Sequence, residues 1–145
     1  MSAEETHPYF FKPDLGTYRR QCKRVVPKQV LNLGMSRTGT ACKNSSERSQ
    51  KQENFAKLIE KAMKAALHIL GYKDVYHGTD VYSNIKDCDM WIDALNTKYF
   101  GKGKPFGKAE FDQLLGDCAA ITDGPANWFG PELIEAYPES KVILV

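Results

Sequence analysis

The residues with the densest chemical content are Gly34-Met35-Ser36-Arg37-Thr38-Gly39-Thr40, directly after the apolar run "QVLNLG". Gly34 and Gly39 have the Gly-x4-Gly spacing of a Walker A loop, with Thr40 standing where that loop carries its lysine. Glycines let the backbone approach an anion, and successive N–H groups form a nest for it. Arg37 adds a fixed positive charge able to grip two oxygens at once, where a lysine acts as a point charge. Such a loop can cradle a phosphate, or it can simply turn a strand into a helix. Two further residues have useful chemistry. His77 closes the short run "DVYH", where it can serve as a general base or as a structural histidine at a strand end. Asp123 closes "CAAITD" before Gly124-Pro125, where it can orient a substrate or cap the next helix, and capping is the simpler role.

The elements that must position these residues follow from pattern. "QVLNLG", "DVYH", "CAAITD" and "KVILV" are short apolar runs suited to buried strands. Between Glu47 and Leu70 the period becomes helical, with Phe55, Leu58, Ile59, Ala62, Ala66 and Ile69 on an apolar stripe. Asn44 and Glu47 can form a capping box at its start, and Gly71 stands where a terminating glycine belongs. "DCDMWIDALNTKYF" reads as a second helix with Asp87 as its N-cap and Met90, Trp91, Ala94 and Leu95 on one face. A short helix over 108–116 carries Phe111, Leu114 and Leu115, and Pro131 marks an N1 position in a broken helix after Asp123. Strands alternating with helices imply an α/β fold, a parallel sheet with helices on both faces. Ligands of such sheets sit at the carboxyl ends of the strands, where Gly34–Thr40, His77 and Asp123 all fall.

Composition narrows the class. A chain of 145 residues makes one domain, with 42% hydrophobic and 26% charged residues, as in an ordinary folded protein. A net charge of +2 gives no general footprint for nucleic acid. Arg19, Arg20, Lys23 and Arg24 do cluster before the first strand, as a solvated lead-in or as a patch for an anion or membrane surface. Cys22, Cys42, Cys88 and Cys118 are widely spaced, without a CxxC pair, which argues against a zinc site or disulfide framework. No segment has the apolar length of a signal peptide or membrane span, so the expected location is cytoplasmic. Residues 1–27 read as an irregular arm, with Tyr9, Phe10 and Phe11 available to pack on the body formed by 28–145.

"LNLGMSRTGT", "MKAALHILGYKDVYH", "CDMWIDALNTKYFGKGKPFG" and "AITDGPANWFGPELIEAYPESKVILV" together resemble the sulfotransferase-like P-loop proteins common in fungi, often described only as P-loop nucleoside triphosphate hydrolase-fold proteins. The resemblance covers residues 28–41 and 63–145, with loop, His, Asp-x-Pro and final strand in the family's order. It implies nucleotide binding by Gly34, Ser36, Arg37, Thr38, Gly39 and Thr40, and sulfuryl transfer from 3′-phosphoadenosine-5′-phosphosulfate to a small-molecule hydroxyl acceptor. Arg37, His77 and Asp123 are then the catalytic candidates, Arg37 stabilising charge on the bridging oxygen as sulfate leaves. No metal and no nucleic-acid partner are implied.

The sequence departs from that family in two places. Segment 42–62, rich in Ser, Lys, Glu and Gln, separates the loop from its helix, and its composition suits a retained intron. An unbroken helix from Thr40 to Leu70 would run about 45 Å, longer than the sheet needs, so a break near Asn44-Ser45-Ser46 is expected. The family also continues past the final strand into a region that grips the 3′-phosphate, so the chain reads as incomplete at its C-terminus, and an inactive truncated form is one expectation. Two other functions stay open. Thr40 and Asp123 can share magnesium in a phosphotransferase or hydrolase, with the missing lysine against it. The helix over 47–70 can present a face to a protein partner. Trp91, Tyr99, Phe100, Trp128 and Phe129 form either an acceptor pocket or core.

Overall fold

Three runs of two or three residues form strands of the sheet: β1 (Val30–Asn32), β2 (Val75–Tyr76) and β3 (Ala120–Ile121). All their residues are buried, which is why they read as continuous apolar runs and not as alternating ones. The computed structural model describes residues 15–34 and 63–144. The helical stripe of Phe55, Leu58, Ile59 and Ala62, the expected capping box at Asn44 and the break near Ser45 lie outside the described residues, as do Tyr9, Phe10 and Phe11.

β4 (Lys141–Ile143) completes a four-stranded sheet in the order β2-β3-β1-β4 with every pairing parallel. Val30 stands between Ala120 and Lys141, and Leu31 between Ile121 and Val142. Parallel neighbours require crossovers, and helices supply them: α1, described over 63–69, α2 (Asp87–Phe100), α3 (Lys108–Leu114) and α4 (Gly130–Ala136). The fold is α/β.

The strand period of two divides the core. Val30, Val75 and Ala120 point to one face, where Leu67 covers them with Met63 beside it. Leu31, Tyr76 and Ile121 point to the other, against Met90, Trp91, Phe111, Leu114, Phe129 and Leu133 from the remaining helices. Trp91 and Phe129 rings lie 5.7 Å apart, and Phe111 meets Phe129 edge-on at 5.9 Å. Trp91 and Phe129 therefore belong to the core, whereas Tyr99, Phe100 and Trp128 are exposed. The aromatic set does not line one pocket.

Several sequence expectations change here. In α1 the buried position is Leu67, one turn from Met63, whereas Ala66 and Ile69 are exposed. The helix is turned so that an i, i+4 pair of long side chains meets the valines of the sheet. Gly71 does end it, at φ +87°, with Tyr72 N–H bonded to Leu67 O at 3.0 Å in the manner of a Schellman cap. Val30 and Leu67 share one cluster, so the pieces flanking segment 42–62 pack together. β4 was expected to be buried, but Lys141 and Val142 are exposed and Ile143 half-buried, as suits a strand at the sheet's edge.

Asp87 is not the N-cap of α2. Lys86 holds that position, and Asp87 is the first helical residue, completely buried. Its carboxylate accepts hydrogen bonds from Asn84 Nδ2 (2.6 Å), Arg19 Nε (2.8 Å) and Tyr76 OH (3.2 Å). Burial pushes this carboxyl above its ordinary value, against the pull of Arg19, Asn84 and Tyr76. The basic cluster divides: Lys23 and Arg20 are exposed, as in a solvated lead-in, whereas Arg19 and Arg24 are turned inward. Arg19 also reaches Asp117, Arg20 bonds Asp93, and Arg24 bonds Asp112 and Tyr137 OH. The described part of the arm is thereby strapped to the body by its own arginines.

Candidate functional site

Because all four strands are parallel, their carboxyl ends lie along one edge of the sheet. β2 ends at His77 and β3 at Thr122-Asp123, while β1 runs through Leu33 to Gly34. His77 is extended (φ −128°, ψ 156°) and caps a 3-10 turn over Gly78–Ser83. Its Nδ1 accepts from Thr79 N–H at 3.1 Å, and Asp80 Oδ2 returns the favour by accepting from His77 N–H at 2.8 Å. Lys64 of α1 holds both Asp80 oxygens, at 2.8 and 2.7 Å, so the turn is anchored to the helix on the other side. The imidazole is 4% exposed and its Nε2 stands 3.8 Å from Asp123 Oδ2.

Asp123 adopts the left-handed conformation, φ +69°, at the sharp exit from β3. Its side chain does not cap the following 3-10 turn, Ala126–Phe129. Pro125 is the N-cap there, with no side-chain bond, and Asp123 contributes only its carbonyl to Asn127 N–H at 3.2 Å. The capping role expected from sequence is thus not used, and the carboxylate is left facing His77. Gly78 makes this approach possible. A Cβ there would lie 2.4 Å from Gly124 O and 2.6 Å from Asp123 Oδ2. On the far side of the same loop, the Trp128 indole lies against Gly124, where a Cβ would come within 3.0 Å of the ring.

Of the residues expected to bind a nucleotide, Gly34 is described and Ser36, Arg37, Thr38, Gly39 and Thr40 lie outside the described residues. Gly34 begins the loop at the same edge as His77 and Asp123. Its carbonyl accepts from Asn127 Nδ2 at 2.9 Å, and its N–H faces Asn32 Oδ1 at 3.4 Å. Asn32 Nδ2 in turn bonds Thr122 Oγ1 at 2.9 Å. Sequence reasoning missed Asn32, Thr122 and Asn127. One signal was available, an amide inside the apolar run "VLNL", since a buried amide needs partners. Among the described residues no group of three or more His, Cys, Asp or Glu is arranged to hold a metal ion, and no helix is long and apolar enough to cross a membrane.

Residues 60–145, more than half of the chain, match the sulfotransferase domain family, and the chain belongs to that family. It is also similar to a protein named Ava biosynthesis cluster protein M from Aspergillus versicolor, with 39% identity over 116 residues. That alignment takes in 80% of this chain and 36% of the relative, so the chain spans about a third of the relative's length. The family match starts beyond Thr40 and takes in His77 and Asp123 but not the glycine loop.

Proposed function

We propose that the chain takes part in sulfuryl transfer from 3′-phosphoadenosine-5′-phosphosulfate to the hydroxyl of a small molecule. The observation that carries this reading is the meeting of His77 and Asp123, 3.8 Å apart, on the edge where Gly34 opens the glycine loop. Membership of the sulfotransferase family supports the reaction class. In this proposal Gly34 opens the loop in which Ser36, Arg37, Thr38, Gly39 and Thr40 cradle the phosphosulfate, the N–H groups beyond Gly34 and the guanidinium facing its oxygens.

The acceptor oxygen attacks sulfur, the bond from sulfur to the bridging oxygen breaks, and the leaving phosphate keeps the electron pair. Arg37 stabilises that charge. The hydroxyl proton needs a base. Nδ1 of His77 accepts from Thr79 N–H and lies 3.0 Å from Thr79 Oγ1, and we assign the proton of the neutral ring to Nε2, the nitrogen that faces Asp123. The lone pair a base requires is then on Asp123, whose side chain is 16% exposed against 5% for His77. We assign proton acceptance to Asp123 and orientation of its carboxylate to His77, in place of a histidine base.

Calorimetric titration of the full chain with adenosine 3′,5′-bisphosphate and with Mg-ATP tests the proposal. The bisphosphate is expected to bind, with Arg37→Ala removing the heat. Tight, magnesium-dependent ATP binding without bisphosphate binding would replace sulfuryl transfer with phosphotransfer.

A further inference from the structure

Gly34 is held on both of its backbone polar groups by side-chain amides that arrive from different elements. Asn32, from β1 itself, offers Oδ1 to its N–H at 3.4 Å, and Asn127, from the turn after β3, donates Nδ2 to its carbonyl at 2.9 Å. Asn32 is oriented by Thr122, again from the end of β3, through the 2.9 Å bond to Oγ1. The three side chains are buried, at 6%, 7% and 3% exposure. Two strand ends are thus pinned to the first peptide of the loop.

The amide of Asn127 is a poor choice if its purpose is stability. Its orientation is dictated by the Gly34 carbonyl, which needs a donor, and this leaves Oδ1 buried with no hydrogen-bond partner among the described residues. An acceptor in that state loses its water without replacement. A leucine of similar volume would remove that acceptor but leave the Gly34 carbonyl without its donor. What leucine cannot do is hold the Gly34 peptide.

We infer that Asn32 and Asn127 form a clamp on the Gly34 peptide that sets the direction in which the chain leaves β1, at the point where the proposed anion-binding loop begins. They are positioning residues: they act through Gly34. The clamp also joins the two halves of the site, because Asn127 belongs to the same turn whose first carbonyl is that of Asp123. The binding part of this inference rests on the sulfuryl-transfer reading; the clamp itself does not.

The test compares the full-length chain with Asn127→Leu and Thr122→Val. Three measurements are made: thermal midpoint, affinity for adenosine 3′,5′-bisphosphate by calorimetry, and hydrogen exchange of the peptide containing Leu33 and Gly34. Asn127→Leu exchanges one unpaired acceptor for another and is expected to move the midpoint little, while weakening the bisphosphate about tenfold, the worth of roughly one hydrogen bond. Exchange at Leu33–Gly34 is expected to quicken, and Thr122→Val should do the same to a smaller degree. A merely structural asparagine would leave the affinity of the folded fraction alone. Unchanged affinity and unchanged exchange in Asn127→Leu overturn the clamp. If the parent chain binds no bisphosphate, the sulfuryl-transfer reading fails by itself, and exchange alone decides: faster exchange upholds the clamp and unchanged exchange rejects it.

Discussion

The two ends of the sheet treat polar groups in opposite ways. Around the described arm, charge is closed into short bonds: Arg19 on Asp87 at 2.8 Å and on Asp117 at 2.7 Å, and Arg24 on Asp112. Burial works against the charge on Arg19, yet Asp117 and Asp87 outweigh it and hold the guanidinium above its ordinary value. At the carboxyl edge, His77 and Asp123 are kept at 3.8 Å, and Asn127 carries a buried acceptor without a described partner. Polar groups that only hold the chain together are brought to contact. At the strand ends His77 and Asp123 instead stand beyond hydrogen-bond distance of one another. In the proposed reading stability and chemistry are separable, and substitution can test the separation.

The largest expected effect is at the site. Asp123→Asn should slow turnover of the phosphosulfate nucleotide by about 100-fold or more, read as release of adenosine 3′,5′-bisphosphate in the presence of a mixture of hydroxyl acceptors. Its thermal midpoint should stay in place, because the carboxylate caps nothing. A midpoint that falls with the rate would collapse the contrast. The opposite pattern is expected at the clasp. Asp87→Ala removes a buried carboxylate that serves Arg19, Asn84 and Tyr76 at once, and should cost about 3–5 kcal/mol in chemical denaturation.

Gly78→Ala tests the boundary between the two regions. Its Cβ would run into Gly124 O and Asp123 Oδ2, so the folded state should lose about 1–3 kcal/mol. Turnover should fall as well, since the His77–Asp123 spacing must open; a variant that loses stability with full turnover would show that this spacing is unimportant.

The smallest effect concerns pH. Burial alone would raise the Asp112 carboxyl, but bonds from Arg24, Lys108 and Tyr137 outweigh it and hold the group below its ordinary value. A depressed carboxyl contributes stability above its unfolded value of about 3.9, and that contribution is lost as pH falls through the folded value. Asp112→Asn should thus cost about 1 kcal/mol at neutral pH, and the gap from the parent chain should shrink on acidification below about pH 4. A constant gap would mean that the bonds of Asp112 do not depend on its charge.

Much of the architecture was legible in sequence because it rests on local patterns. "QVLNLG", "DVYH" and "CAAITD" each contain a strand, the second helix spans Asp87–Phe100 as read, and Gly71 ends the first. What failed was any judgement that needed a partner distant in sequence. Ala66 and Ile69 fit a helical stripe as well as Met63 and Leu67 do, and only the sheet selects between them. Asp87 has the residue type and place of an N-cap, yet Arg19 and Tyr76 draw it inward.

The same division runs through the site. His77 and Asp123 could be named from their places at strand ends, since a parallel sheet brings such ends to one edge whatever the details. Their surroundings could not, because the Thr79 N–H that donates to Nδ1, the Gly78 that admits Asp123, and the missing side-chain cap at Ala126 are matters of angle and distance. Asn127 stayed hidden for the same reason. Its partner Gly34 lies 93 positions away in the chain, and a hydrogen bond across that interval leaves no periodicity to read. Sequence alone determined which elements form and which family the chain resembles, because apolar period and turn residues act over a few positions. Tertiary structure decided which polar groups pair across the fold and which stand apart from one another, because pairing depends on what folding brings within about 3 Å.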